Sequence, residues 1–137
     1  MKKIIYFLLL SHLVFNVHAY QPSVIIHLDS RSLKTQQLTL DMADELYQSY
    51  GRNNINLEIV VCGPGLDLVR EDKEKFVERI EKMIEDGVVF TAGWGTMHKK
   101  YKKEGEYPEL IDGVNFAASG AFRATELQEQ GYYYLKP

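Results

Sequence analysis

Apolar and polar positions alternate along this chain in short blocks that switch between a strand-like and a helix-like period. Ser23-Val24-Ile25-Ile26-His27-Leu28 is an unbroken β-rich run and predicts a first strand. Leu38, Met42, Leu46 and Tyr50 recur every four residues and so share one helical face, with Gly51 as the stop. Leu57 to Cys62 predicts a second strand, closed by Gly63-Pro64-Gly65. Phe76, Val77, Ile80, Met83 and Ile84 form the stripe of a second helix, ended by Gly87, and Val88 to Ala92 a third strand. A polar segment from Met97 to Gly105 has the composition of a short helix. Val114 to Ala118 reads as a fourth strand, Ala121 to Gln128 as a short helix and Tyr132 to Leu135 as a fifth strand.

Strands alternating with amphipathic helices call for an α/β fold with a largely parallel sheet and helices on both faces. Right-handed crossovers put every strand-to-helix loop on one edge of that sheet, where such folds bind ligands. The residues expected on that edge are Asp29, then Cys62, Gly63 and Pro64, then Gly93, Trp94, Gly95 and Thr96, then Ser119 and Gly120.

The N-terminus changes the expected compartment. Lys2-Lys3, the apolar run Ile4 to Leu10 with Leu13-Val14-Phe15, and Val17-His18-Ala19 have the form of a secretory signal peptide. Residues 1–19 are therefore expected to be removed, leaving one domain over residues 20–137 in the periplasm. The apolar run is short for a membrane span, and no later run is longer. Cleavage removes Lys2 and Lys3, which leaves 14 basic against 19 acidic side chains and moves the net charge from −3 to −5. That balance argues against a nucleic-acid partner.

Candidate chemistry centres on Cys62, the only cysteine. It cannot form an internal disulfide, so it is buried and inert, paired between chains, or reactive. The apolar residues before it, in a strand buried on both faces, are expected to keep its thiol protonated. A helix N-terminus beyond Gly65 would oppose this by under about 1 kcal/mol. The turns Gly63-Pro64-Gly65 and Gly93-Trp94-Gly95-Thr96 could offer backbone N–H groups to an anion, but neither is a P-loop or a dinucleotide fingerprint. His27 and His98 lie on different elements and give no metal-ligand pattern, so no metal and no cofactor is expected. His27 and Asp29 alternate on one strand, a spacing that by itself identifies no catalytic group. The basic run His98 to Lys103 reads as a solvated helix face.

Several stretches in order resemble the DsrE/DsrF-like family, in particular its small exported single-domain members. They are Val60-Val61-Cys62-Gly63-Pro64-Gly65-Leu66, Gly87 to Met97, Leu110-Ile111-Asp112-Gly113-Val114, and Ser119-Gly120 with Leu127 to Pro137. The resemblance implies a three-layer α/β/α sandwich with a mostly parallel five-stranded sheet, assembly into oligomers, and a part in sulfur oxidation or relay. It also implies a sulfur-carrying cysteine after the third strand. Here Gly93 stands at that position, and glycine carries no sulfur.

The chain is therefore expected to be a non-catalytic binding or assembly module connected with sulfur metabolism. One alternative is a sulfur-relay or thiol-redox protein with Cys62 as a relocated persulfide carrier; another is a small-ligand binder using the glycine turns. The expected partners are further copies of the chain, as a trimer or dimer joined through Trp94, Tyr101 and Tyr132 to Tyr134, and a sulfur-relay protein.

Overall fold

The computed structural model describes residues 20–137; the signal-peptide expectation for residues 1–19 lies outside them. Five strands form one sheet: β1 (Ser23–Leu28), β2 (Asn56–Val61), β3 (Val89–Gly93), β4 (Asn115–Ala117) and β5 (Tyr133–Leu135). Their order is β4-β3-β2-β1-β5, and every neighbouring pair is parallel. Between them lie α1 (Leu33–Tyr50), α2 (Val77–Glu85), α3 (Trp94–Glu104) and α4 (Gly120–Glu129). The α/β/α sandwich expected from the alternating pattern is what forms.

The chain steps from β1 to β4 in one direction, so α1, α2 and α3 pack on the same face. There Val24, Ile26, Leu28, Leu57, Ile59, Val61, Phe90 and Ala92 meet Leu40, Ala43, Tyr47, Ile80, Met83 and Met97 in the main core. After β4 the chain crosses back to β5, and α4 covers the other face, where Ile25, Val60 and Leu127 make a smaller cluster. Alternation along the strands therefore assigns each residue to a layer. His27, Glu58, Val60, Cys62, Thr91 and Gly93 belong to the α4 side.

That second layer contains a buried charge. Glu58 is 3% exposed, and its carboxylate accepts from Arg123 Nε and Nη2 of α4, both at 2.8 Å, and from Thr91 Oγ1 at 2.7 Å. Three donors offset much of the cost of desolvating the carboxylate. They also fix α4 in register against β2 and β3.

Two expectations need correction. The helical face Leu38-Met42-Leu46-Tyr50 is real but flanks the core. The fully buried face of α1 is Gln36, Thr39, Leu40, Ala43 and Tyr47, while Leu38 and Tyr50 are exposed. No α-helix follows Gly65 either. Gly63–Val69 is a run of 3-10 turns, and α2 begins only at Val77. Gly65 explains the tight path, because a Cβ there would lie 2.2 Å from the Leu28 carbonyl oxygen. Among the described residues, no helix is long and apolar enough to cross a membrane.

Candidate functional site

Cys62 follows the last residue of β2 and is half-buried at the C-terminal edge of the sheet. Its backbone N–H donates to the Leu28 carbonyl at 3.0 Å, which continues the β1–β2 ladder by one step and fixes the side chain on the α4 face. On the adjacent strand His27 occupies the same face. Its Nε2 lies 2.9 Å from Cys62 Sγ, and its Nδ1 lies 2.6 Å from the Tyr134 hydroxyl on β5. The residue just after β2, one residue of β1 and one of β5 thus make a chain of contacts, Cys62–His27–Tyr134. The Tyr134 ring also meets the imidazole edge-on, at 5.7 Å between centroids and 71° between planes.

A charged pair borders this row. Lys136 Nζ donates to Asp29 Oδ2 at 2.6 Å. Burial pushes the Cys62 thiol above its ordinary pKa, the negative charge of Asp29 pushes it the same way, and Lys136 opposes. Burial lowers the His27 pKa, and Lys136 adds to that, while Asp29 opposes. At neutral pH the resting pair is therefore a thiol beside a neutral imidazole.

The fourth helix supplies the wall of the site. Gly120, its first residue, lies against Cys62 so closely that a Cβ would sit 2.6 Å from Cys62 Cβ and 3.3 Å from Sγ. Ser119 caps this helix, with its Oγ accepting from Phe122 N–H at 3.0 Å. The α4 N-terminus, not one beyond Gly65, is thus the positive helix end that faces the thiol.

Gly93 has a physical reason to be glycine. A Cβ on Gly93 would lie 2.8 Å from the Gly120 backbone nitrogen and 3.3 Å from the Ser119 carbonyl carbon. Any side chain there, a cysteine included, collides with the β4–α4 junction that walls Cys62.

Of the residues expected at the strand ends, Gly63, Gly93, Thr96, Ser119 and Gly120 do gather around Cys62. Gly63 N–H donates to Thr96 Oγ1 at 2.9 Å, Gly65 N–H to the Cys62 carbonyl at 2.9 Å, and Gly95 N–H to the Ala118 carbonyl at 3.2 Å. These three amides, two in the turn after β2 and one in the first turn of α3, are bonded within the protein. Pro64 is exposed on the rim. Trp94 turns outward and stacks on Tyr107 at 5.3 Å. Among the described residues, no group of three or more His, Cys, Asp or Glu is placed to hold a metal ion.

Sequence reading missed the roles of His27 and Tyr134. Period-two alternation could have placed His27 and Cys62 on a common sheet face. That β1 lies between β2 and β5 depends on long-range pairing that no local pattern carries.

No protein-family model matches the chain, and no curated protein matches it. A solved structure of a protein of unknown function from Methanobacterium thermoautotrophicum is similar in fold, with a TM-score of 0.75 over 85% of this chain and 99% of that one. At 22% identity the likeness concerns the fold alone.

Proposed function

We propose that this protein is a thiol-dependent sulfur-transfer protein in which Cys62 is the sulfur acceptor and His27 its base. The observation that carries the reading is the 2.9 Å contact between Cys62 Sγ and His27 Nε2. A nucleophile within hydrogen-bond reach of a base that a third group orients is the geometry of an activated nucleophile. In the resting state the thiol donates to Nε2, and Nδ1–H donates to the Tyr134 oxygen. When a persulfide donor R–S–SH approaches, the Cys62 proton moves to Nε2. The Cys62 sulfur attacks the terminal, sulfane sulfur, the S–S bond of the donor breaks, and the departing thiolate R–S⁻ takes the proton from His27 and leaves as R–SH. Cys62 then holds a persulfide, and no external oxidant or reductant is consumed. Tyr134 holds the imidazole plane, and the α4 N-terminus favours the thiolate as it forms.

The resemblance to the DsrE/DsrF-like family supports sulfur as the cargo, and the crowding at Gly93 supports a relocated sulfur position. Intact-mass measurement after incubation with a small persulfide tests the reading. Gain of one sulfur atom by the native protein, but not by Cys62→Ser, is the expected result. Absence of any adduct on the native protein refutes it.

A second reading, the assembly module, draws on surface aromatics. Trp94, Tyr107, Tyr101 and Phe116 form a contiguous exposed cluster beside the edge strand β4, with Tyr101 and Tyr107 stacked at 4.6 Å. Exposed aromatic patches of this kind favour interfaces. The Tyr132 to Tyr134 run divides three ways. Tyr132 packs on the small cluster, Tyr134 serves His27, and Tyr133 is exposed and hydrogen-bonded to Tyr20 at 2.7 Å. The two readings are compatible, since a relay protein of this size can act within a homo-oligomer. Light scattering at micromolar concentration tests assembly, with a dimer or trimer mass expected and a monomer mass against it.

A further inference from the structure

The row of polar side chains at the thiol does not end at Tyr134. Two residues further along each of the two strand ends, where alternation returns to the same face, stands a second cross-strand pair. Asp29 lies just past β1 and Lys136 just past β5, and Lys136 Nζ donates to Asp29 Oδ2 at 2.6 Å. His27–Tyr134 and Asp29–Lys136 are thus successive rungs between the same pair of parallel strands, the second nearer the open C-terminal edge. Both charges reach the sulfur, since Asp29 and Lys136 act on the Cys62 thiol in opposite directions. Both side chains are close to half exposed, Asp29 at 46% and Lys136 at 49%.

The outer rung is only partly used. It meets through one hydrogen bond, whereas an ammonium has three donors and a carboxylate about four acceptor positions. An exposed ion pair of this kind contributes little to stability, so a ligand that brings both charges can share or replace it at small cost. A head group with a single charge suits one partner and is repelled by the other. A head group with an ammonium and a carboxylate on one carbon suits both.

We propose that Asp29 and Lys136 select a persulfide donor with a zwitterionic head group, the persulfide of a free α-amino acid such as cysteine. The proposal rests on the sulfur-acceptor role given to Cys62 and adds the class of donor to it. Two residues of strand span about 6.6 Å, which sets the step from the inner rung to the outer one. In cysteine persulfide a single methylene joins the sulfur chain to the carbon that bears the ammonium and the carboxylate. With its sulfane sulfur against Cys62 Sγ, beside His27, the head group falls at the outer rung. Asp29 accepts from the ammonium and Lys136 donates to the carboxylate, both as charge-assisted hydrogen bonds. Cys62 Sγ then attacks the sulfane sulfur, the donor S–S bond breaks, and cysteine departs as its thiol with the proton that His27 holds. A peptide-linked cysteine persulfide has neither charge on that carbon.

The experiment follows sulfur uptake by the native protein, by intact mass, over a range of donor concentrations. Four donors are compared: the persulfides of cysteine, of cysteamine, which lacks the carboxylate, of 3-mercaptopropionate, which lacks the ammonium, and of N-acetylcysteine amide, which lacks both charges. Cysteine persulfide is expected to half-saturate the rate at a concentration about tenfold or more below the other three. Lys136→Met is expected to erase the preference over cysteamine persulfide and to keep the preference over the mercaptopropionate persulfide. Asp29→Asn is expected to do the reverse. Asp29→Asn also alters the acidity of Cys62, so donors are compared within each variant, where that change cancels. Equal half-saturation by all four donors, a preference that both variants retain, or tighter uptake from the N-acetylcysteine amide persulfide overturns the proposal and leaves the acceptor role of Cys62 standing. Uptake from no donor overturns that role and the proposal with it.

Discussion

Replacing Gly93 by alanine isolates the reason this chain keeps glycine where a sulfur-bearing cysteine would otherwise be expected. The backbone at Gly93 has φ −78° and ψ 121°, which any residue adopts without strain. The effect of a methyl group therefore comes from packing alone. Its Cβ falls 2.8 Å from the Gly120 nitrogen, about 0.6 Å inside the 3.4 Å limit of ordinary contact, and the obstacle is backbone that no rotamer change can remove. Overpacking of this kind costs about 1–3 kcal/mol. Loss of chain entropy in the unfolded state returns about 0.4–1 kcal/mol. The net expectation is a loss of about 1–2 kcal/mol, and for a domain of this size a melting temperature lower by roughly 5–10 °C. Circular-dichroism melts of Gly93→Ala and Gly93→Cys give the number, and alkylation of Cys62 in the alanine variant reports whether the α4 wall has moved. Melting at or above the native temperature, with Cys62 reacting as before, would refute the steric explanation of Gly93.

Four further expectations follow from the same geometry. Gly120→Ala drives a Cβ to 2.6 Å from Cys62 Cβ and is expected to lower the melting temperature and change the Cys62 alkylation rate together. Glu58→Ala leaves the Arg123 guanidinium, which Glu58 holds well above the usual arginine range, with Glu126 alone; a loss of about 3 kcal/mol is expected in urea unfolding. Because the folded-state pKa of His27 is lowered by burial, the unfolded chain binds more protons, so this residue's contribution to stability is present above pH ~6.5 and lost as pH falls through the folded pKa; the His27→Asn variant is expected to lack that part of the slope in melts from pH 7 to 5. Asp29→Asn removes the charge that raises the Cys62 pKa and frees Lys136, which lowers it, so alkylation of Cys62 at neutral pH is expected to speed up.

Local pattern was sufficient for the elements of this fold. The run Ser23 to Leu28 forms β1 over the very residues that its β-branched, apolar composition marks out, and Ile80 and Met83 are the buried stripe of α2 as spaced. The pattern misplaced the buried face of α1, because Gln36 and Thr39 are polar yet buried, while Leu38 and Tyr50 are apolar yet exposed. It also read Gly93-Trp94-Gly95-Thr96 as a turn, whereas α3 starts at Trp94 with no intervening loop. At the site, the grouping of strand-end residues was legible because parallel topology sends every such loop to one edge. The base was not legible. His27 reaches Cys62 only because β1 pairs with β2 in the register His27 to Val60, and Tyr134 reaches His27 only because β5 lies on the other side of β1.

The role proposed for His27 is to activate Cys62 as a sulfur acceptor. The most direct measurement is the rate of sulfur uptake by Cys62 from a small persulfide at neutral pH, followed by intact mass, in the native protein, His27→Asn and Tyr134→Phe. General-base assistance is typically worth about 10²–10⁴-fold. The expected result is a fall of at least about 100-fold in His27→Asn, a smaller fall in Tyr134→Phe, and folded protein in both by circular dichroism. Uptake by folded His27→Asn at the native rate, or no uptake by the native protein, contradicts the claim.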